Sequence, residues 1–327
     1  MRSPISRTAA LALGAALALG GCSSEPGGTS GAAVAVGPCD RACLLGFVDR
    51  YVAALVAKDP KQAPFADNAR FTENAQVLQL GDGLWHTASA GPQGYKLVIA
   101  DPSPGVGEAG FYILMQENGN PIWLSGRLKV ENGKITELET IVVRKGVGFG
   151  AFDRTAPLPL WNEVLQPAER TPRDKMIDIA NQYFDALDHH LTDSVPFDEH
   201  CNRVENGVQT TNNPALKPAG EAPNVGALGC RDNINSQMWR YITSISPRRT
   251  TVVDVERGIV QIVAVFQQDG SVASTNIPGF GEYKYTGAMR RPFTTVIPET
   301  FKIKNGKILQ IEATMVAMPY GSHSRWD

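Results

Sequence analysis

The sequence lacks the motifs by which most enzyme classes are recognised. It contains no Gly-x-Ser-x-Gly nucleophile motif, no phosphate-binding loop ending in Gly-Lys-Ser/Thr and no His-Glu-x-x-His zinc motif. Gly105, Gly107 and Gly110 match the spacing of a dinucleotide-binding fingerprint, but no helix is predicted after them, so this match does not indicate a nucleotide site. We therefore expect a protein that uses no cofactor.

An excess of charge of either sign is also missing. The 31 basic and 33 acidic residues give a formal net charge of −2, whereas nucleic-acid-binding proteins usually carry a basic patch. We expect no nucleic-acid partner. Charged residues make up 20% and apolar residues 43% of the 327 residues, which indicates a globular protein long enough for two domains.

Long apolar runs are absent except near the beginning of the chain. Arg2 and Arg7 precede an apolar run at residues 9–19, which is too short to span a bilayer but is typical of a secretory signal peptide. Residues 1–22 are therefore predicted to be a signal peptide. Residues 23–37 are rich in Ser, Gly and Ala and are predicted to be a flexible tether.

The end of this signal resembles the lipobox of bacterial lipoproteins. Leu19 is followed by two glycines and Cys22, and in a lipobox the cysteine becomes the new N-terminus and carries lipid. The alternative is an ordinary secretory peptide that is cleaved nearby. The resemblance implies an exported protein held in the cell envelope, with the membrane as a partner through the lipid on Cys22.

Cysteine is scarce, and its spacing argues against zinc. After Cys22 only Cys39, Cys43, Cys201 and Cys230 remain. No pair has the two-residue spacing of zinc ribbons, so no metal site is expected. Export favours two disulfides, and local pairing of Cys39 with Cys43 and of Cys201 with Cys230 is the simplest arrangement, although the sequence leaves the connectivity open.

What the chain does contain is an internal repeat. Residues 179–206 restate residues 47–74 with a constant shift of 132 positions, and residues 301–308 restate residues 128–135 with a shift of 173. The second copy is thus 41 residues longer between these landmarks. The identical pairs in the first segment are Tyr51/Tyr183, Ala54/Ala186, Leu55/Leu187, Pro64/Pro196, Phe65/Phe197, Glu73/Glu205 and Asn74/Asn206.

Each copy has the same order of predicted elements, an amphipathic helix followed by strands that Asn-Gly turns connect. This order predicts an α+β domain at residues 38–145 and another at residues 173–327, joined by a Pro- and Gly-rich linker at 146–172. The extra length of the second copy falls in predicted insertions at 211–231 and 271–290.

These features together resemble the SnoaL-like branch of the NTF2-like superfamily, here in tandem. They are the helix, a Pro-Phe pair before a strand with Glu-Asn, a later Trp, and the closing Asn-Gly-Lys-Ile hairpin. The chain also resembles secreted two-domain proteins of unassigned function. The resemblance implies two cystatin-like cones, each a strongly curved antiparallel sheet wrapped around its N-terminal helix and enclosing a pocket for a small molecule.

Two residues of the first copy are candidates for proton transfer. Glu73 has the apolar Phe71 on the same face of its strand, which would raise the pKa of the carboxyl group, and His86 has an imidazole ring that could act as an acid or a base. Asn74 and Tyr95 are the predicted hydrogen-bonding partners. The alternative is that Glu73 caps a helix or pairs with an arginine, that Asn74 closes a turn and that His86 is half exposed.

The second copy has a more polar set of candidate binding residues. They could bind a ligand with hydroxyl or carboxylate groups, or they could form the interface of an internal pseudo-dimer between the copies. The set is Asn202, Arg203, Glu205, Asn206 and Arg240.

The resemblance implies either of two functions. The first is a cofactor-independent lyase or isomerase, a dehydratase for example, that moves a proton on a small oxygenated metabolite. The second is a non-catalytic envelope protein that binds a ligand or another protein. An open cone with an inward-facing carboxyl group or imidazole favours the first function, and a filled cone favours the second.

Overall fold

The computed structural model describes residues 39–218 and 222–326, which belong to one compact unit, Val36–Asp327. The predicted signal peptide, Cys22 and the tether lie outside the described residues. Within the described ranges no helix is both long and apolar enough to cross a membrane.

The first half begins with helix α1, Arg41–Ala57. Asp40 caps it, because its carboxylate accepts a hydrogen bond of 2.9 Å from the backbone N–H of Cys43. The helix ends at Lys58, whose positive φ of 59° breaks the helical geometry. The strands that follow are β1 (Phe65–Glu73), β2 (Gln76–Leu78), β3 (Ala88–Ala90), β4 (Lys96–Asp101), β5 (Glu108–Glu117), β6 (Asn120–Glu131) and β7 (Lys134–Arg144).

These strands form one mixed sheet in the order β2-β1-β7-β6-β5, with β3 and β4 both paired to β5. The hairpin turns at Asn118-Gly119 and Asn132-Gly133 are confirmed, and all four of these residues have the positive φ that such turns require. The expectation of an entirely antiparallel sheet is wrong at one place. Strand β1 pairs with β7 in parallel, because the last strand of the meander β5-β6-β7 lies beside β1 and runs in the same direction.

The second half repeats this arrangement. Helix α2 spans Arg173–His189. The strands are β8 (Phe197–Glu205), β9 (Val208–Gln209), β10 (Ser244–Asp254), β11 (Ile259–Gln268), β12 (Ser274–Ile277), β13 (Gly281–Lys284), β14 (Phe293–Lys304), β15 (Lys307–Ala313) and β16 (Ala317–Pro319). The sheet order is β9-β8-β15-β14-β11-β10, with β8 and β15 parallel and β16 added beside β14.

Both predicted insertions contain ordered structure. The first includes the start of the short helix α3, Cys230–Asn235, and the disulfide Cys201–Cys230 attaches this helix to β8. The second contains the separate hairpin of β12 and β13. The other disulfide, Cys39–Cys43, lies at the start of α1, so the expectation of two local disulfides is confirmed.

Each sheet packs its own helix on one face and meets the other sheet on the opposite face. Residues alternate accordingly along β5, where Phe111 lies in the core with α1 and Tyr112 lies in the layer between the sheets. Residues 146–172 have no long helix or strand, as their prolines predict, but Trp161 is fully buried in that layer. The predicted linker is therefore part of the packed core.

Polar contacts also connect the halves. The Tyr112 hydroxyl donates to the Pro298 carbonyl at 2.8 Å, and Arg249 pairs with Glu139 at 2.7 Å. Near the C-terminus, the Trp326 indole donates to the Thr72 hydroxyl at 2.8 Å. These buried contacts fix one half against the other.

Candidate functional site

A cavity of about 430 Å³ opens inside the second half. Helix α2 and strands β8, β11 and β14 supply its walls, together with the segment 147–149 and residues 315–317. Most of the lining is apolar or aromatic. These side chains are Val147, Phe149, Leu187, Trp239, Tyr241, Ile242, Phe266, Phe293, Ile297, Met315, Val316 and Ala317.

Four ionisable side chains lie together at one place in this lining. Arg203 and Glu205 are two residues apart on β8 and so point to the same face of the sheet. Glu299 comes from β14, and Tyr183 comes from α2. All four residues line the cavity, and Tyr183 interacts with both Arg203 and Glu299.

Arg203 is held by several partners. Its Nε lies 3.2 Å from Glu205 Oε1, and its Nη2 donates to Asn233 Oδ1 at 2.8 Å. Asn233 also accepts a hydrogen bond of 2.9 Å from the indole of Trp239, which lies against the guanidinium. Burial is the largest single effect and lowers the pKa of Arg203, but Glu205, Tyr183 and Glu299 together outweigh it, so the pKa is raised and Arg203 stays charged.

Glu299 is the buried acid of the site. Its side chain is only 2% exposed. Burial, and secondarily the charge of Glu205, raises the pKa of Glu299 to about 8, although Arg203 and Tyr183 act in the opposite direction. At neutral pH this carboxyl group therefore keeps its proton and can donate a hydrogen bond into the cavity.

The segment 147–149 closes part of the mouth with two apolar side chains. Val147 and Phe149 line the cavity although Phe149 is 47% exposed. Asn206 anchors the segment, since its side-chain amide donates to the Phe149 carbonyl at 3.1 Å and to the Met315 carbonyl at 3.0 Å. The predicted binding residue Asn206 thus fixes the cavity wall through backbone contacts.

The candidates of the first half have other surroundings. Glu73 is buried and accepts a hydrogen bond of 2.8 Å from the backbone N–H of Leu84, and Arg144 lies 3.5 Å from its second oxygen. Burial raises the pKa of Glu73, and the Leu84 N–H and Arg144 oppose that rise. Asn74 accepts a hydrogen bond of 2.8 Å from the Val142 N–H.

His86 and Tyr95 do not meet Glu73. The side chain of His86 is 71% exposed and lies 3.5 Å from Asp82. Tyr95 is fully buried between the sheets, where its hydroxyl donates to Glu312. The structure therefore does not assemble these three residues into one site.

The remaining candidates of the second half separate into two groups. Arg203, Glu205 and Asn206 line the cavity, whereas Asn202 contacts Asn212 at 2.9 Å outside it. Arg240 is exposed and borders a shallower polar groove that shares Ile242 with the cavity.

Sequence reasoning missed Glu299. The available signal was that Glu299 is the one acidic residue in its strand, β14. No cluster of three or more His, Cys, Asp or Glu side chains suited to a metal ion occurs in the described part of the chain.

Comparisons with known proteins find a similar family over part of the chain and one distantly similar solved structure. Residues 169–315, which run from before α2 to beyond β15, match a family described as a domain of unknown function, DUF8021. No curated protein matches the chain. Among solved structures, the chain is similar to a protein assigned as a SnoaL-like polyketide cyclase from Jannaschia sp. CCS1, with 11% identity over 47% of this chain and 90% of that one and a TM-score of 0.26.

Proposed function

We propose that the second half binds a small, largely apolar, oxygenated molecule and moves a proton on it without a cofactor, as a dehydratase or isomerase does. The observation that carries this proposal is the inward-facing Glu299. It is a buried acid that holds its proton at neutral pH and lies beside a paired carboxylate, Glu205, in an apolar cavity.

The two carboxyl groups suit different steps. Protonated Glu299 gives its proton to the carbonyl or hydroxyl oxygen of the ligand at which negative charge develops, and the proton that Glu205 removes from the ligand then restores Glu299. Glu205, held at 3.2 Å from Arg203, is the group that accepts a proton from a ligand carbon. The apolar walls exclude water from the reacting atoms and so strengthen both interactions.

Binding without turnover is the second candidate. It is favoured by the close pairing of Glu205 with Arg203, since an arginine partner stabilises a carboxylate and weakens it as a base. The two candidates differ in what Glu205 does, and mutation of this residue separates them.

We also propose the cellular context. Two seven-stranded sheets with the same strand order support a pair of NTF2-like domains that pack as an internal pseudo-dimer. Two disulfides support export to an oxidising compartment. Mass spectrometry of the protein from its source tests lipid on Cys22, because a mature chain that begins before or after Cys22 would contradict a lipoprotein.

The function is tested with protein purified from its source. Native mass spectrometry should reveal a retained small molecule, and its close relatives would then be screened for turnover. Glu299→Gln should lower kcat by about 100-fold or more, because the amide cannot transfer a proton. If Glu205 is the base, Glu205→Gln should abolish turnover. If the protein only binds its ligand, binding should remain measurable in Glu205→Gln.

Two further variants serve as comparisons. Glu199→Gln changes an exposed residue on the same strand as Glu205 and should leave turnover unchanged, since its side chain is 85% exposed. Glu73→Gln tests the first half. If Glu73→Gln rather than Glu299→Gln abolishes turnover, the reaction takes place in the first half and the proposal is wrong.

A further inference from the structure

The cavity has no net positive charge to offer a ligand. Among the described residues that line it, Arg203 is the one basic side chain. Its Nε already lies 3.2 Å from the Glu205 carboxylate, and its Nη2 donates to Asn233 at 2.8 Å. A ligand therefore meets a neutralised ion pair in place of a free cation.

Glu299 can only make this environment more negative. When it is protonated, the three groups Arg203, Glu205 and Glu299 sum to zero charge, and when it is ionised they sum to one negative charge. In either state a carboxylate ligand would lose its hydration on entering and would gain no counter-ion. The geometry therefore disfavours anionic ligands at neutral pH, where Glu205 pairs with Arg203.

An uncharged oxygen finds suitable partners at the same place. Tyr183 and Glu299 both line the cavity, and the protonated carboxyl group of Glu299, which interacts with the Tyr183 hydroxyl, can donate to a ligand oxygen. Around them Phe266, Ile297 and Trp239 offer apolar and aromatic contact to the body of a ligand. The lining thus matches a compact apolar molecule with a polar but neutral head.

We propose that this cavity selects uncharged carbonyl or hydroxyl compounds and rejects the corresponding carboxylates. The inference rests on the proposed function only in that the cavity is a ligand site, and it narrows the ligand class. The sequence leaves open whether Arg203 binds a hydroxylated or a carboxylated ligand. The structure favours the hydroxylated one, because Glu205 already pairs with the guanidinium group that a carboxylate would need.

The test uses two probes of nearly equal shape, 2-naphthamide and 2-naphthoate, titrated calorimetrically into the full protein at neutral pH. The amide should bind at least about tenfold more tightly than the carboxylate. Glu205→Gln leaves the Arg203 charge without its partner, so the ratio of carboxylate to amide affinity should rise by about tenfold or more. The ratio should be unchanged in the exposed control Glu199→Gln, and thermal unfolding of each variant verifies folding.

Each outcome decides the proposal. A carboxylate that binds the wild type as tightly as the amide, or a ratio that Glu205→Gln does not raise, overturns the selectivity but leaves the cavity as a ligand site. Failure of both probes to bind overturns the cavity as a ligand site and the selectivity with it. Should Glu205→Gln unfold, the ratio of carboxylate to amide affinity is measured for the wild type from pH 6 to pH 9. Ionisation of Glu299 over this range must lower the ratio, and a rise would contradict the proposal.

Discussion

Gly126 of the first half and Glu299 of the second half occupy the same place in two sheets of the same strand order. Gly126 pairs with Thr140 and Glu299 pairs with Ala313, and both pairs are related by the shift of 173 positions that the sequence repeat shows. One sheet therefore has no side chain where the other has a buried acid.

A neighbouring position is likewise apolar in the first half and charged in the second half. Phe71 of the first half corresponds to Arg203, so an aromatic ring replaces the guanidinium that holds Glu205. Tyr51, which corresponds to Tyr183, packs its ring 5.8 Å from Phe111 and 5.9 Å from Trp85. Both interiors contain ring contacts, and the second also has open volume beside ionisable groups.

This contrast teaches that the fold does not depend on a filled interior. The same helix-on-sheet arrangement is packed with apolar and aromatic side chains in one half and tolerates a cavity and three ionisable side chains in the other. A repeat whose interior is filled can supply stability to the whole unit through the shared apolar layer between the sheets. The other repeat can then keep the destabilising groups that the proposed chemistry needs.

Removal of an interior ring should distinguish the halves most strongly. Phe111→Ala, in the filled interior, should lower the free energy of unfolding by about 3–5 kcal/mol. Phe266→Ala, on the equivalent strand but beside the cavity, should cost at least about 1 kcal/mol less because the ring has fewer packed neighbours to lose. Chemical denaturation of both variants measures the difference, and equal losses would mean that the second interior is also filled.

The backbone at Gly126 should be nearly as sensitive. Its φ is +149°, and a Cβ there would lie 1.9 Å from the Glu139 carbonyl oxygen. Gly126→Ala should therefore destabilise the protein by about 3 kcal/mol, because the strand must shift away from its neighbour. Gly119→Ala has a positive φ of 77° but open space around it, so it should cost only about 1 kcal/mol.

Denaturation curves for these two alanine variants give the comparison directly. If Gly126→Ala and Gly119→Ala lower the free energy of unfolding equally, strain at φ alone explains the result, and the first sheet has room for a side chain at residue 126. The first half could then have retained an acid there. A large excess for Gly126→Ala means that the β6 backbone lies too close to β7 to admit one.

The sequence predicted the local features of this fold well. The expected Asn-Gly turns between strands are present, because such turns depend on adjacent residues only. The parallel pairing of β1 with β7 was missed. That contact joins segments about 70 residues apart, and no local pattern encodes it.

The site was predicted in part for the same reason. Arg203 and Glu205 could be found, because their spacing on one strand places both on one face. Tyr95 could not be assigned to a face, and it points into the layer between the sheets. Glu299 was missed because its position beside Arg203 depends on how β14 pairs with β15 and β15 with β8.

The pH dependence of stability should sharpen the comparison in small steps, because each pH unit changes the free energy of unfolding by at most about 1.4 kcal/mol. The pKa of Glu299 is raised from 4.5 to about 8 in the folded protein, so the folded state keeps a proton that the unfolded chain has lost. The contribution to stability is complete below the unfolded pKa and is lost as the pH rises through the folded pKa. Wild-type stability relative to Glu299→Gln should therefore fall between about pH 5 and pH 8, by up to about 1.4 kcal/mol per pH unit.

Glu73→Gln provides the matched measurement in the first half. The pKa of Glu73 is raised by burial, but the Leu84 N–H and Arg144 stabilise its ionised form. Its removal should change the pH dependence in the same direction but less steeply than the removal of Glu299. Unfolding free energies of wild type and both variants at pH 5, 6, 7 and 8 decide the matter. A flat difference for Glu299→Gln would mean that Glu299 is already ionised at neutral pH, and a carboxylate there could not donate the proton that the proposed chemistry requires.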